Sequence, residues 1–377
     1  MFFQISRHPD NSFPNHCRWG DLVVNHDNGW TLQDNILYKG TISSGLLKID
    51  SLKDFEKEKG TFCILEYKDN GVYVETGEKQ KFPIFVDDDN LLVTNIWRDQ
   101  ESFQGKVFVT NKIKKIPYIQ PSYKHLNLSD DQIIDAVDNL IEQTILNFKT
   151  DKPFQLFVSG GVDTIILAAY LLKNKLPYEL IPGEHTEMDY FLCHNRSKLK
   201  NYWAYAGGSH HWKEQRIVIS GAHGDENLLR NPVSAYLILK HNNENLKSVC
   251  EQNLNLYHSK YFLQKKHLNL FDTLKDLEFD SDEKLKDWLL KGNTVDYQHW
   301  HLGNTIFFTP FDNLELFNLM LNLSYDKARN QLLDASISKE LIRRNYPSLL
   351  KYVSQSKNER NFENLAKVYD GLEHLGD

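Results

Sequence analysis

One short segment of this sequence carries the residue types that phosphate chemistry needs. Ser159-Gly160-Gly161-Val162-Asp163-Thr164 follows the apolar run Phe154-Gln155-Leu156-Phe157-Val158 and precedes Ile165-Ile166-Leu167-Ala168-Ala169-Tyr170-Leu171-Leu172. Adjacent glycines let a backbone come close to a ligand, and the N–H groups of a loop that opens a helix point beyond the strand end, so the segment suits a di- or triphosphate. Ser159 adds a hydroxyl donor. A bare Asp163 would repel phosphate, which predicts Mg²⁺ between the two. No Lys-Ser or Lys-Thr follows the glycines, so the segment differs from the Walker loop.

Positioning such a loop takes a strand before it and a helix after it. That order is one half of a parallel α/β nucleotide fold. Residues 178–181 and 216–220 are the next buried-strand candidates. Upstream, Ser129 is an N-cap with Gln132 at capping-box spacing, and Ile133, Ile134, Val137, Leu140, Ile141 and Ile145 recur on one helical face. That helix opens a second domain. The first 120 or so residues read as strands: residues 61–67 lead into the Asp69-Asn70-Gly71 hairpin signal, and residues 82–86 and 91–94 flank the acidic turn Asp87-Asp88-Asp89-Asn90. Residues 112–121, with Pro117 and Pro121, read as the crossover between the domains, and the chain from about Val233 onward as mostly helical.

Composition narrows the partners. A net charge of −7 over 377 residues gives no global basic field to hold nucleic acid. The apolar run 165–172 stops at Lys173, far short of the roughly 20 residues of a membrane helix. The start of the chain shows no basic leader with a long apolar run, and the four cysteines, Cys17, Cys63, Cys193 and Cys250, form no CxxC pair. These features predict a cytoplasmic protein with reduced thiols.

Ser159 to Thr164 resembles the pyrophosphate loop of ATP pyrophosphatases, the family of asparagine synthetase, GMP synthetase, NAD synthetase and tRNA-modifying ligases. A second segment, Ser220-Gly221-Ala222-His223-Gly224-Asp225-Glu226, resembles the Ser-Gly-Glu-Gly-x-Asp-Glu loop of asparagine synthetases through Ser220, Gly221, Asp225 and Glu226. The resemblance implies ATP and Mg²⁺ as cofactors, with Ser159, Gly160, Gly161, Val162, Asp163, Thr164, Ser220 and Gly221 at the nucleotide and Asp163 and Asp225 on the metal. Read without it, Asp225 is a helix N-cap. Ala222 stands where the family has a Glu of the amide-forming half, leaving His223 and Glu226 as candidate bases by position. Phe308-Thr309-Pro310-Phe311-Asp312 resembles the family's Val-Pro-Phe-Leu-Asp segment, and Ser338-Lys339-Glu340-Leu341-Ile342-Arg343 its Glu-Lys-x-x-Leu-Arg stretch. That makes Lys339 the expected catalytic lysine, a fixed cation for charge developing on the acyl-adenylate.

The amino-terminal strands resemble the glutaminase domain that precedes asparagine synthetase, but Phe2 stands where such glutaminases carry their nucleophilic Cys. Cys17 could serve only after cleavage behind His16. A retired glutaminase domain of this kind resembles those of β-lactam synthetases and lasso-peptide cyclases. The expected architecture is therefore α/β: a β-rich, degenerate glutaminase-like domain over 1–121, then a parallel-sheet ATP-pyrophosphatase domain over 122–377. The expected activity is ATP-dependent activation of a small-molecule or peptide carboxylate, then attack by an amine. A tRNA-modifying ligase and a nucleotide-binding pseudoenzyme are the alternatives, and a homodimer is left open. His210-His211 and Glu184-His185-Thr186-Glu187 read as an exposed loop and a pocket wall.

Overall fold

The computed structural model describes residues 2–42, 45–46, 60–77, 84–95, 103, 105–117, 121–157, 161–181, 216–244, 274, 276–292 and 305–353. The chain is mixed α/β, with two antiparallel sheets and a small parallel sheet flanked by helices. Strands β1 (Phe3–Ser6), β2 (Asn15–Trp19), β3 (Leu22–His26), β4 (Thr31–Gln33), β5 (Ile36–Ile42), β6 (Gly45–Leu46), β7 (Gly60–Lys68), β8 (Gly71–Thr76), β9 (Phe85–Asp87), β10 (Leu92–Thr94), β11 (Gly105–Val109) and β12 (Ile113–Pro117) make the antiparallel part. One sheet runs β2-β3-β1-β10-β9; the other runs β12-β11-β8-β7-β5-β4, with β6 on β5.

Alternation builds the core between these sheets. Phe3, Ile5, Val24 and Val93 meet Leu37, Leu65, Val72, Val74, Val107 and Val109 in one buried cluster. Every second residue of a strand faces the same side, so a short alternating run gives each sheet an apolar face that must find another. The expected hairpin forms, but one residue earlier than an Asn-Gly turn would place it: Asp69 and Asn70 both take positive φ, and Lys68 pairs with Gly71 in a tight β7–β8 hairpin. Ile64, Val72, Val74, Phe85 and Val93, the apolar positions of the amino-terminal strands, are all buried.

The expected crossover at residues 112–121 is corrected. Its first half is strand β12, paired with β11 from Gly105↔Pro117 to Val109↔Ile113. Lys114 and Lys115 mark it as a charged edge strand, and Pro117 sits at its last position, where a missing N–H is tolerated.

Helix α1 (Asp130–Asn147) starts at Ser129 with both halves of a capping box: the Ser129 hydroxyl accepts from the Gln132 N–H, and the Gln132 side chain accepts from the Ser129 N–H. Ile133, Ile134, Val137, Ile141 and Ile145 are its buried stripe. Then come β13 (Phe154–Phe157), α2 (Val162–Lys173), β14 (Tyr178–Ile181), β15 (Arg216–Ile219), α3 (Gly224–Asn227), α4 (Pro232–His241), α5 (Asp282–Gly292), β16 (Thr305–Phe308), α6 (Leu314–Leu321), α7 (Tyr325–Asp334), α8 (Ser336–Asn345) and a 3₁₀ turn at Pro347–Tyr352. Strands β14-β13-β15-β16 are all parallel. The described residues after Val233 are mostly helical, as expected, with β16 the one strand among them.

Helix α2 is buried from Val162 to Leu171, which fits its apolar run and its place against the sheet and α8. The sheet order decides where a ligand can sit. Strand β13 connects through α2 to β14 on one side, while β15 lies on its other side. The segments that leave the carboxyl ends of β13 and β15 therefore diverge, and the crevice opens between them. No helix among the described residues is long and apolar enough to cross a membrane.

Candidate functional site

Both sequence-selected loops leave strands at this crevice. Gly161 caps α2 with extended backbone (φ −84°, ψ 156°), and Val162, Asp163 and Thr164 form the first helical turn. Ser159 and Gly160 lie outside the described residues, as do His210, His211 and the tract 184–187. On the other side, Ser220 leaves β15, its N–H donating to the Phe308 carbonyl (3.0 Å) and its hydroxyl accepting from the Ala222 N–H (3.2 Å).

The two loops pack against each other through glycine. A Cβ on Gly221 would stand 2.9 Å from the Thr164 nitrogen and 3.0 Å from the Asp163 carbonyl carbon. One on Gly224 would stand 2.4 Å from the Asp163 carboxyl carbon. The glycines of the second loop are thus what let it lie on the first turn of α2.

That approach brings the two expected metal carboxylates to a common neighbour, Arg230. Its Nη1 donates to Asp163 Oδ1 at 2.7 Å, and its Nη2 lies 3.1 Å from Asp225 Oδ1. Asp163 and Arg230 are each 8% exposed. Sequence reasoning missed Arg230; a single arginine after Leu228-Leu229 carries no pattern, and only the turn of the chain after α3 shows what it faces. Its backbone N–H bonds the Asp225 carbonyl at 2.7 Å, which holds the turn. Asp225 itself lies inside α3, one residue after Gly224; the residue at the N-cap is His223, so the N-cap reading of Asp225 is corrected.

His223 takes a left-handed conformation (φ 68°), costly for a side chain with a Cβ and accepted here where the chain turns into α3. Its ring is buried, with Nδ1 3.8 Å from Asp312 Oδ1, and the Asn227 side chain donates to the Phe311 carbonyl. The Phe311-Asp312 segment is thereby brought beside the second loop. Burial pushes the Glu226 carboxyl up to about 7, and Asp225 and Asp163 push in the same direction, while the Asn231 side chain acts against them. A carboxyl tuned near neutrality beside two carboxylates suits proton transfer. Lys339 lies half-buried in the first turn of α8, which packs on α2, the helix that carries Asp163. No contact among the described residues ties its ammonium to the Asp163–Arg230–Asp225 cluster.

The fit to magnesium follows from this donor set. Two carboxylates are the hard oxygen ligands Mg²⁺ takes, usually completed by phosphate oxygens and water. Among the described residues no three His, Cys, Asp or Glu side chains converge as a metal site. The carboxylates suit an ion that arrives with phosphate; their facing oxygens are engaged by Arg230.

Compared with protein-family models and with curated proteins, the chain matches none. The functional reading therefore rests on its own residues.

The amino-terminal sheets hold the counterpart question of the nucleophile. Phe2 is 4% exposed, and its N–H donates to Asp27 Oδ1 at 3.0 Å. Cys17 sits in the middle of β2, paired with Val24, and burial pushes its thiol up to about 11, away from a reactive thiolate. Cleavage behind His16 would also remove β1, the central strand of its sheet. Cys63 is fully buried, and burial raises its thiol too.

Proposed function

We propose that the protein is an ATP- and Mg²⁺-dependent carbon–nitrogen ligase that activates a carboxylate as an acyl-adenylate, releases pyrophosphate and passes the acyl group to an amine. The observation that carries this reading is the meeting of two strand-end loops at the switch point of a parallel sheet, with Asp163 and Asp225 on one buried guanidinium. In this reading residues 1–121 are a degenerate glutaminase-like domain and residues 122–377 an ATP-pyrophosphatase domain of the asparagine synthetase type.

Gly161, Val162 and Thr164, with Ser159, Gly160, Ser220 and Gly221, hold the phosphates through N–H and hydroxyl donors. Asp163 and Asp225 would hold magnesium, which would neutralise phosphate charge. Lys339 stabilises the charge that develops as the adenylate forms and breaks down. Glu226 and His223 are the groups able to take a proton from the attacking amine.

ATP–pyrophosphate exchange against a panel of carboxylates tests the reading. At least one carboxylate is expected to support exchange, and Asp163→Asn and Asp225→Asn are each expected to abolish it while leaving the protein folded. Full exchange in both variants would remove the metal assignment.

The amine is not expected to come from glutamine. Phe2 offers no nucleophile, and Cys17 is strand-bound with a raised thiol. Incubation with glutamine and ATP should release no glutamate above a blank, and intact mass should find residues 1–16 attached. Glutamate release that depends on Cys17 would restore a working amidotransferase.

A second reading has its own observation. Arg230 on the two carboxylates and Ala222 in the second loop also suit a nucleotide-binding protein without ligase chemistry. ATP binding with no exchange on any carboxylate would favour it.

A further inference from the structure

Arg230 stands where a cation is needed. Asp163 is buried on the first turn of α2, Asp225 comes from the opposite loop, and glycine contacts at Gly221 and Gly224 keep the two elements close. Two carboxylates that reach one guanidinium repel each other unless a positive charge lies between them, the more so because Asp163 is buried. A planar guanidinium can address both at once, Nη1 to one and Nη2 to the other.

We propose that Arg230 is the built-in counter-cation of the Asp163–Asp225 pair, and that a divalent ion reaches these carboxylates only as the guanidinium leaves them. The nucleotide-free protein then keeps its crevice assembled without metal and does not take up magnesium alone. An ion that brings its own phosphate ligands supplies both the charge and the oxygens that make the exchange favourable, and the freed guanidinium has phosphate oxygens within its chemistry. Arg230 is a positioning residue in this scheme: it acts through Asp163 and Asp225. The inference rests on the reading of those two residues as the metal-facing pair, but its test uses neither ATP turnover nor a substrate, so it fails or stands apart from the ligase assignment.

The test is Mn²⁺ binding to the full chain without nucleotide, followed by electron paramagnetic resonance, with thermal unfolding in parallel. The wild-type protein is expected to bind no Mn²⁺ at the Asp163–Asp225 site and to show a melting temperature unmoved by millimolar Mg²⁺ at constant ionic strength. Arg230→Gln is expected to melt lower, to bind one Mn²⁺ at least tenfold more tightly than wild type, and to be restored toward the wild-type melting temperature by Mg²⁺, because the added ion replaces the missing charge. Adding Asp163→Asn to Arg230→Gln should abolish both the new binding and the restoration. Tight Mn²⁺ binding by the wild-type protein that Asp163→Asn removes would overturn the proposal. So would an Arg230→Gln variant that folds and binds no ion. If Arg230→Gln does not fold, Arg230→Lys decides: one nitrogen replaces the two that address separate carboxylates and the planar fork is lost, so metal uptake above wild type is expected, and none overturns the inference.

Discussion

Replacing Lys39 with methionine is expected to destabilise the protein by about 3–5 kcal/mol, the cost of taking its main counter-charge from a buried carboxylate. Lys39 sits on β5 on the same face as Leu37 and Thr41, a face that otherwise looks into the core between the antiparallel sheets. Its ammonium lies 3.4 Å from Asp27 Oδ2 and donates to the Asn28 carbonyl at 2.7 Å; the side chains of Lys39 and Asp27 are 0% and 3% exposed. Burial acts to raise the Asp27 carboxyl. Lys39, then the positive amino terminus and the Phe2 and Trp30 N–H donors, outweigh it and hold that carboxyl below its usual range. In Lys39→Met the amino terminus and the two N–H donors remain, but the largest of the charges that hold Asp27 ionised is gone. Denaturant unfolding followed by tryptophan fluorescence reads the loss. Asp27→Asn combined with Lys39→Met should recover most of it, since the amide restores acceptor capacity without the charge. A single variant as stable as wild type would mean that the pair contributes little to the fold.

Lys339→Ala is expected to lower the rate of ATP–pyrophosphate exchange by about 10²–10³ while changing ATP affinity only modestly, the range seen when one preorganised partner of a developing charge is removed. The motive is the Lys339 and Arg343 spacing together with the place of α8. Its buried residues Ser338, Leu341 and Ile342 pack it in place, and α2 is its neighbour. The backbone there is fixed, with the Lys339 N–H bonded to the Ala335 carbonyl at 2.9 Å. Lys339→Arg should retain part of the rate. A change confined to ATP affinity would make Lys339 a binding residue, and no change in either would remove it from the site.

What could be read from the sequence followed the strength of local signals. The Ser129–Gln132 capping box and the stripe from Ile133 to Ile145 were legible because cap and periodicity agree. The strand, glycine and helix succession around Gly161 was legible for the same reason. Thr305–Phe308 was not: a four-residue apolar run has no period, and only its parallel neighbour β15 makes it a strand. Ile113–Pro117 misled because two lysines and a proline look like a linker when the partner strand β11 is out of view. Lys39 and Arg230 were hidden for a further reason. Each is a cation whose importance lies in a carboxylate brought to it by the fold, and charge pairing across such separations leaves no trace in spacing.

The position of β16 bears on how the molecule is made. Strands β13, β14 and β15 are all synthesised by Ile219, yet among the described residues the outer edge of β15 gains its partner only when Thr305–Phe308 leaves the ribosome. Through that interval a parallel edge waits open, the kind of surface that recruits other chains. Because β16 also lies against β5, a strand made near the beginning, its arrival closes contacts between distant parts of the chain. Such late, distant closure makes for slow folding, and a nascent chain of this protein is most exposed to misassembly between the third strand of its parallel sheet and the fourth.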